Sequence, residues 1–248
     1  MCTTCGCGGE GATLAGHAHG HPEAPRPGRR RVSLEQNLLA RNDALAAQNR
    51  QRCAERGWLA LNLVSSPGSG KTTLLEQTLR RLQSRLPVVV IEGDQQTSQD
   101  ADRIRAAGAP AVQINTGKGC HLDAHLVGHA LDELDPPEGA VVMIENVGNL
   151  VCPAAFDLGE AHKVLILSVT EGEDKPLKYP DMFAAADLLL LNKVDLLPHL
   201  RFDAARCLDL ARRVNPRLQI FQVSAQEGTG LEAWIGWIEA RRAVPQRA

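Results

Sequence analysis

Eight residues constrain this chain more than any others: Ser65-Ser66-Pro67-Gly68-Ser69-Gly70-Lys71-Thr72. The apolar run at 58–64 before them predicts a buried strand, and the spacing after them, from Thr73 to Leu79, is helical. Strand, glycine-bearing loop and helix in that order make a cradle for phosphate. Successive backbone N–H groups curl around an anion, and the helix N-terminus adds partial positive charge. Gly68 and Gly70 let the backbone approach closely, with Ser69 between them and Thr73 just beyond. Lys71 is placed to reach β- and γ-phosphates, and Thr72 to offer its hydroxyl to Mg2+. Ser65 stands where the general pattern has its first glycine. The expectation is a nucleotide-binding protein.

Further apolar runs follow at 87–91, 111–115, 140–145, 163–169, 187–191 and 218–223, with helical patterns at 99–107, 122–134, 203–214 and 231–242. Unbroken apolar strands alternating with helices predict an α/β fold, a P-loop NTPase domain over 58–248. Its sheet is expected to be mostly parallel, with helices on both faces, so ligands belong at the C-terminal strand ends. Asn192-Lys193-Val194-Asp195 falls at one such end. The Asp195 carboxylate can accept hydrogen bonds from N1–H and the exocyclic amine of guanine, a pattern adenine lacks. Asn192 supports the base edge, Lys193 packs over it, and Ser224 and Ala225 complete the set at the next strand end. Such a site discriminates by roughly 10⁴-fold, so GTP/GDP is expected over ATP.

Glu145-Asn146-Val147-Gly148 closes another strand. Glu145 is a candidate to hold magnesium through water, and Gly148 to sense the γ-phosphate through its N–H. Asp94 is the other candidate for magnesium or for placing the attacking water, and spacing leaves the two roles open. Lys71, Asp94 and Glu145 are thus the candidate catalytic residues. Asn149, not glutamine, follows Gly148, so slow intrinsic GTP hydrolysis is expected, more a switch than a turnover enzyme.

Cysteine and histidine carry the second theme. Cys2, Cys5 and Cys7 place three soft thiolates on one short loop; nickel(II) completed by a nitrogen donor and tetrahedral zinc both suit them. His17, His19 and His21 form a short tract that binds metal weakly or serves as solvated linker. Residues 1–32 therefore read as a flexible metal-binding tail and linker. Ser33 and Gln36 have capping-box spacing, and Leu34, Leu38, Leu39, Leu45 and Ala46 predict a helix over 33–57 that packs on the domain. Inside the domain, Cys120, His121 and Cys152 lie in glycine-bearing loops near the nucleotide, a half-site that a second protomer can complete. The ordinary alternative is a core cysteine and a satisfied histidine. His125 and His129 read as surface residues, Cys53 and Cys207 as structural.

A formal net charge of −2 gives no nucleic-acid surface, and no run of eighteen apolar residues suits a membrane. Seven cysteines, an odd count, suggest metal binding in a reducing, cytoplasmic setting.

Taken together, these residues resemble the hydrogenase nickel-incorporation GTPases (HypB), relatives of the urease nickel GTPase. The resemblance rests on 1–7, 65–72, Glu92-Gly93-Asp94-Gln95-Gln96-Thr97, Gly119-Cys120-His121, 145–153, 170–180 and 192–195, and covers nearly the whole chain. It implies a cytoplasmic GTPase that dimerises with GTP and, with a HypA-type zinc-binding chaperone, delivers nickel to the [NiFe]-hydrogenase large subunit. Cys2, Cys5 and Cys7 match a tight N-terminal nickel site. Cys120, His121 and Cys152 match a weaker nickel/zinc site at the dimer interface, and Lys178 matches a lysine reaching nucleotide across it. The urease relative, a metal-storage protein and a general signalling GTPase are the competing readings. The cysteine tail and the 145–153 run argue against the first, an intact Lys71, Thr72 and Asp195 against the second, and Cys120-His121 with Cys152 against the third.

Overall fold

The computed structural model describes residues 27–94, 99–117 and 119–243, the side chains of 27–35, 94 and 99–102 excepted. Cys2, Cys5, Cys7, His17, His19 and His21 lie outside the described residues. In chain order the elements are α1 Pro27–Arg56, β1 Leu59–Ser65, α2 Lys71–Leu82, β2 Val88–Asp94, α3 Gln99–Ala106, β3 Ala111–Asn115, α4 Ala124–Leu134 and β4 Val141–Glu145. They continue with α5 Cys152–Ala155, β5 His162–Ser168, α6 Lys175–Lys178, α7 Pro180–Ala185, β6 Leu188–Asn192, a 3₁₀ turn Val194–His199, α8 Ala204–Val214, β7 Gln219–Gln222 and α9 Leu231–Arg242.

The strands form one sheet in the order β3-β2-β4-β1-β5-β6-β7, and every pairing among the described residues is parallel. Alternate residues of each strand serve opposite faces. Leu59, Leu61, Leu63, Val88, Val90, Leu188 and Leu190 pack with Leu74, Leu75, Leu79, Trp234 and Ile238 from α2 and α9. On the other face Ala60, Ile91 and Val142 meet Cys53 of α1 and Val127 and Leu131 of α4. Leu165, Leu167, Leu189 and Leu191 meet Met182, Phe183 and Cys207 of α7 and α8. Burial on both faces is why the strands are continuously apolar. Burial also pushes the Cys53 thiol up to about 11 and the Cys207 thiol to about 12, so both stay protonated and inert.

Helix α1 starts at Pro27, not at the Ser33 capping box. Proline suits a first helical turn, and the arginines that follow are good helix formers, so the helix has no reason to wait for Ser33. The 122–134 helix starts later than its pattern: Asp123 caps α4 by accepting the N–H of Leu126 at 2.9 Å, and Leu122 is core.

Two asparagines seven residues apart stitch α1 to the body. Asn49, buried, donates to the carbonyls of Ala124 at 2.8 Å and Leu158 at 3.0 Å. Asn42 donates to the Asp157 carbonyl at 2.7 Å and accepts the Ala124 N–H at 2.9 Å. Gly159 permits this closeness, since a Cβ there would stand 2.6 Å from the Ala46 carbonyl oxygen and from Asn49 Cβ. Arg50 adds an ion pair, its Nη2 donating to both Asp157 carboxylate oxygens at 2.7 Å. Asn49→Ala removes both of these buried hydrogen bonds and is expected to cost about 2–4 kcal/mol, seen as a melting temperature several degrees lower. Arg52→Ala, which removes the solvent-exposed pair with Asp132, should cost under ~1 kcal/mol. Equal melting of the two variants would show that α1 is held by charge and not by these hydrogen bonds.

Candidate functional site

The crevice at the C-terminal end of β1 is a cavity of about 480 Å³. Its walls are residues 65–73 with Glu92, Gly93, Arg103, Glu145, Val147 and Gly148. Gly68 (φ 74°) and Gly70 (φ 89°) hold left-handed conformations, and a Cβ on Gly70 would meet Asn192 Nδ2 at 2.7 Å. Glycine is required at position 70 on both counts. Lys71 Nζ and Thr72 Oγ1 both donate to Glu145 Oε1 at 2.8 Å. Glu145 is 2% exposed, and its Oε2 has no partner. A buried carboxylate beside a threonine hydroxyl at a phosphate loop has the hard oxygen donors a magnesium ion takes. Ser69 Oγ, inside the loop, is likewise buried and unpartnered. Buried polar atoms of this kind call for a ligand.

The residues expected at the base come from three segments. Asn192 Nδ2 donates to the Ser69 carbonyl at 2.9 Å, and Asn192 Oδ1 accepts the Ala225 N–H at 3.1 Å. Lys193, held at φ 62°, donates to the Gly68 carbonyl at 2.8 Å and so lies along the loop. Ser224 is buried and accepts the Glu227 N–H at 3.0 Å, fixing the turn that presents Ala225. Asp195 Oδ1 is buried without a partner, as expected of a carboxylate set aside for the guanine edge.

Two residues of this crevice were not singled out from sequence. Glu92 is buried beside Glu145 in strand register. Arg103 pairs with Glu76 at 3.0 Å and reaches Thr73 Oγ1 at 3.4 Å. Neither carries a motif of its own; each is visible only once β2 and α3 are placed beside the loop. Asp94 ends β2, but its side chain lies outside those described. Lys178 is exposed and pairs with Asp174 at 2.7 Å, away from its own phosphate loop. The lysine that reaches the loop is Lys175, 3.1 Å from Ser66 Oγ.

The second cluster forms beside the crevice. Cys120 Sγ lies 3.1 Å from Cys152 Sγ and 3.5 Å from His121 Nδ1, and the three ligand atoms fall within 4.8 Å of one another. All are half-buried. Burial lowers the His121 pKa, partly opposed by Asp123, which keeps the imidazole neutral and its lone pair available at neutral pH. Two thiols and an imidazole suit nickel or zinc and leave positions for further donors. His125 and His129 are exposed with rings 4.5 Å apart, outside this cluster.

One segment joins crevice and cluster. Gly148 lies so close to the phosphate loop that a Cβ would be 3.1 Å from Pro67 Cα. Asn146 Oδ1 accepts the Leu122 N–H at 3.2 Å, next to His121, and Asn149 Nδ2 donates to the Cys120 carbonyl at 3.2 Å. Cys152 follows three residues later.

The matching family model, CobW/HypB/UreG nucleotide-binding domain, spans residues 59–222. A hydrogenase maturation factor HypB from Azotobacter vinelandii is 65% identical over 88% of this chain and 72% of that protein. The Escherichia coli K12 factor of the same name is 57% identical over 95% and 81%. The chain belongs to the HypB family. Among solved HypB structures, that from Helicobacter pylori in complex with nickel superposes with a TM-score of 0.78 at 38% identity, covering 84% of this chain and 98% of that one. HypB from Archaeoglobus fulgidus gives 0.77 at 39%, covering 82% and 99%.

Asp195→Asn tests the base site of this HypB chain directly. GTP affinity should fall by roughly 10²-fold or more while xanthosine triphosphate gains, because the amide donates where the carboxylate accepted. Equilibrium titration with fluorescent guanine and xanthine nucleotides reads both, and equal weakening of the two would refute the assignment.

Proposed function

We propose that this chain is a GTP-hydrolysing nickel metallochaperone supporting nickel insertion into the [NiFe]-hydrogenase large subunit, with nucleotide state coupled to dimerisation and metal transfer. The observation that carries the reading is the shared segment 145–152, whose first residue meets Lys71 and Thr72 and whose last is a cluster cysteine. The names of the relatives, and the nickel in the H. pylori structure, supply the cargo and the recipient.

In this reading the backbone N–H groups of residues 68–73 hold the phosphates, and Asp195, Asn192, Lys193, Ser224 and Ala225 hold guanine. Lys71 exchanges Glu145 for β- and γ-phosphate oxygens. Magnesium, held by Thr72 and Glu145, supplies neutralisation of the phosphate charge. Asp94 remains the candidate for placing the water that attacks the γ-phosphorus, leaving GDP and phosphate. No side chain of residue 149 is free for that task, because Asn149 bonds Cys120 and accepts the Val151 N–H at 2.8 Å, which supports slow turnover. Gly148 moves with the γ-phosphate and carries Cys152 with it. Cys120, His121 and Cys152 take Ni2+ or Zn2+ as cargo, completed by a second protomer, whose nucleotide Lys178 would reach. Cys2, Cys5 and Cys7 form the separate tail site. The HypA-type chaperone is the expected partner, and the setting is cytoplasmic; no described helix is long and apolar enough to cross a membrane.

Nickel titration with GDP and with a non-hydrolysable GTP analogue plus Mg2+, alongside molecular mass, tests the coupling. The analogue should give a dimer and change nickel affinity by about fivefold or more, the usual range of allosteric coupling, and Cys152→Ala should abolish the change. Nickel affinity indifferent to nucleotide would overturn the coupling.

A further inference from the structure

Lys175 opens α6 and stands at the lip of the phosphate loop. Its ammonium is 3.1 Å from Ser66 Oγ and 3.0 Å from Glu171 Oε2, and lies 5.0 Å from the centre of the Tyr179 ring. Only 19% of the side chain is exposed. Glu171 is itself fixed, since its Oε1 accepts the Ser168 N–H at 3.0 Å at the end of β5. An ammonium carries three donor hydrogens; one goes to Ser66, and Glu171 adds an ion pair without a hydrogen bond. Holding a lysine this far from water is costly unless the charge is paired, which Glu171 supplies.

The position along the loop indicates the use. Gly68 and Ser69 are bonded by Lys193 and Asn192, which mark the base end. Pro67 packs against Gly148, the residue placed to sense the γ-phosphate. Ser66 adjoins Pro67, so Lys175 meets the loop at its γ-phosphate end.

We infer that Lys175 is a γ-phosphate ligand that distinguishes GTP from GDP. When the triphosphate binds, the hydrogen bond that Nζ donates to Ser66 is redirected to a γ-phosphate oxygen, while the Glu171 pair is kept. No covalent bond changes. With GDP the lysine stays on Ser66. This rests on reading the loop as a GTP site, and adds a second route by which the γ-phosphate acts: α6, which carries Lys178 and the exposed Leu177, follows Lys175.

The test is equilibrium binding of GDP and of a non-hydrolysable GTP analogue with Mg2+ to the full-length chain, wild type, Lys175→Met and Lys175→Arg. Loss of a charge-assisted hydrogen bond should weaken the analogue roughly tenfold to a hundredfold in Lys175→Met, leave GDP within about twofold, and be largely restored by Lys175→Arg. Equal losses for both nucleotides would make Lys175 a structural anchor of the loop and overturn the inference, as would no loss for either. Unchanged GDP binding also serves as the check that the variant is folded. A wild-type chain that binds neither nucleotide fails at an earlier step: it overturns the GTP reading, and the inference with it.

Discussion

A single carboxylate oxygen, Oε1 of Glu145, holds the two residues on which the phosphate site depends. Lys71 and Thr72 open α2, and Glu145 ends β4, the strand paired with β1. Their 2.8 Å bonds fix the helix that follows the loop against the strand beside it. A buried carboxylate holding a lysine with no anion nearby is an ion pair; with phosphates present, the same lysine has a stronger claim elsewhere. Glu145 would then keep Thr72 on Oε1 and have Oε2 still unpartnered. In the proposed reading the pair is a resting arrangement that nucleotide would take apart, which would make β4 the strand that registers nucleotide.

Such registration has no effect unless the strand's continuation goes somewhere. Residues 146–149 continue it by hydrogen bonds. Asn146 is buried, and it donates to Asn62 Oδ1 at 3.2 Å while accepting the N–H groups of Leu122 and Val147. Asn62 in turn donates to Glu160 at 3.0 Å, and Glu160 accepts the Leu158 N–H at 2.6 Å. Burial raises the Glu160 pKa against the opposing charge of Lys163, whose ammonium donates to the Pro153 carbonyl at 2.8 Å. The chain of side chains thus links the segments that carry the cluster, from Leu122 through Asn146 to Pro153. An apolar residue at 62 would pack as well as any strand residue; asparagine is there because its neighbours need a donor and an acceptor.

Much of this was legible in the sequence, for identifiable reasons. The strand positions were readable because parallel strands buried on both faces have no polar alternation to confuse them, as at Leu188-Leu189-Leu190-Leu191. The loop and the 192–195 motif could be picked out because each is contiguous, Gly68 to Thr72 and Asn192 to Asp195. Lys175, Glu92 and Arg103 could not, because their meaning comes from which element they sit beside. Lys175 and Lys178 are one helical turn apart, and sequence alone does not say which faces the loop. The short helices α5 to α7 lack a full period of pattern, and α1 outran a capping box whose spacing fits a helix interior equally well.

The placement of α1 bears on how the metal cluster would respond. Asn42 and Asn49 grip Ala124 and the Asp157–Leu158 turn, the frames that lie just beyond Cys120-His121 and Cys152. On one side of the cluster, therefore, two ligands are adjacent residues braced by α1 through α4. On the other, Cys152 follows Gly148 by four positions, a tether of at most about 14 Å. In the proposed reading the three ligands are therefore unequal in degree: Cys120 and His121 are braced by α1 through α4 and meet the switch only through Asn146 and Asn149, whereas Cys152 lies on the switch segment itself. Displacement of that thiolate relative to the other two donors would change the geometry offered, and nickel and zinc differ most in that respect, square-planar against tetrahedral. A device built in this way would alter metal preference as well as affinity when its nucleotide changes, mainly by moving a single ligand.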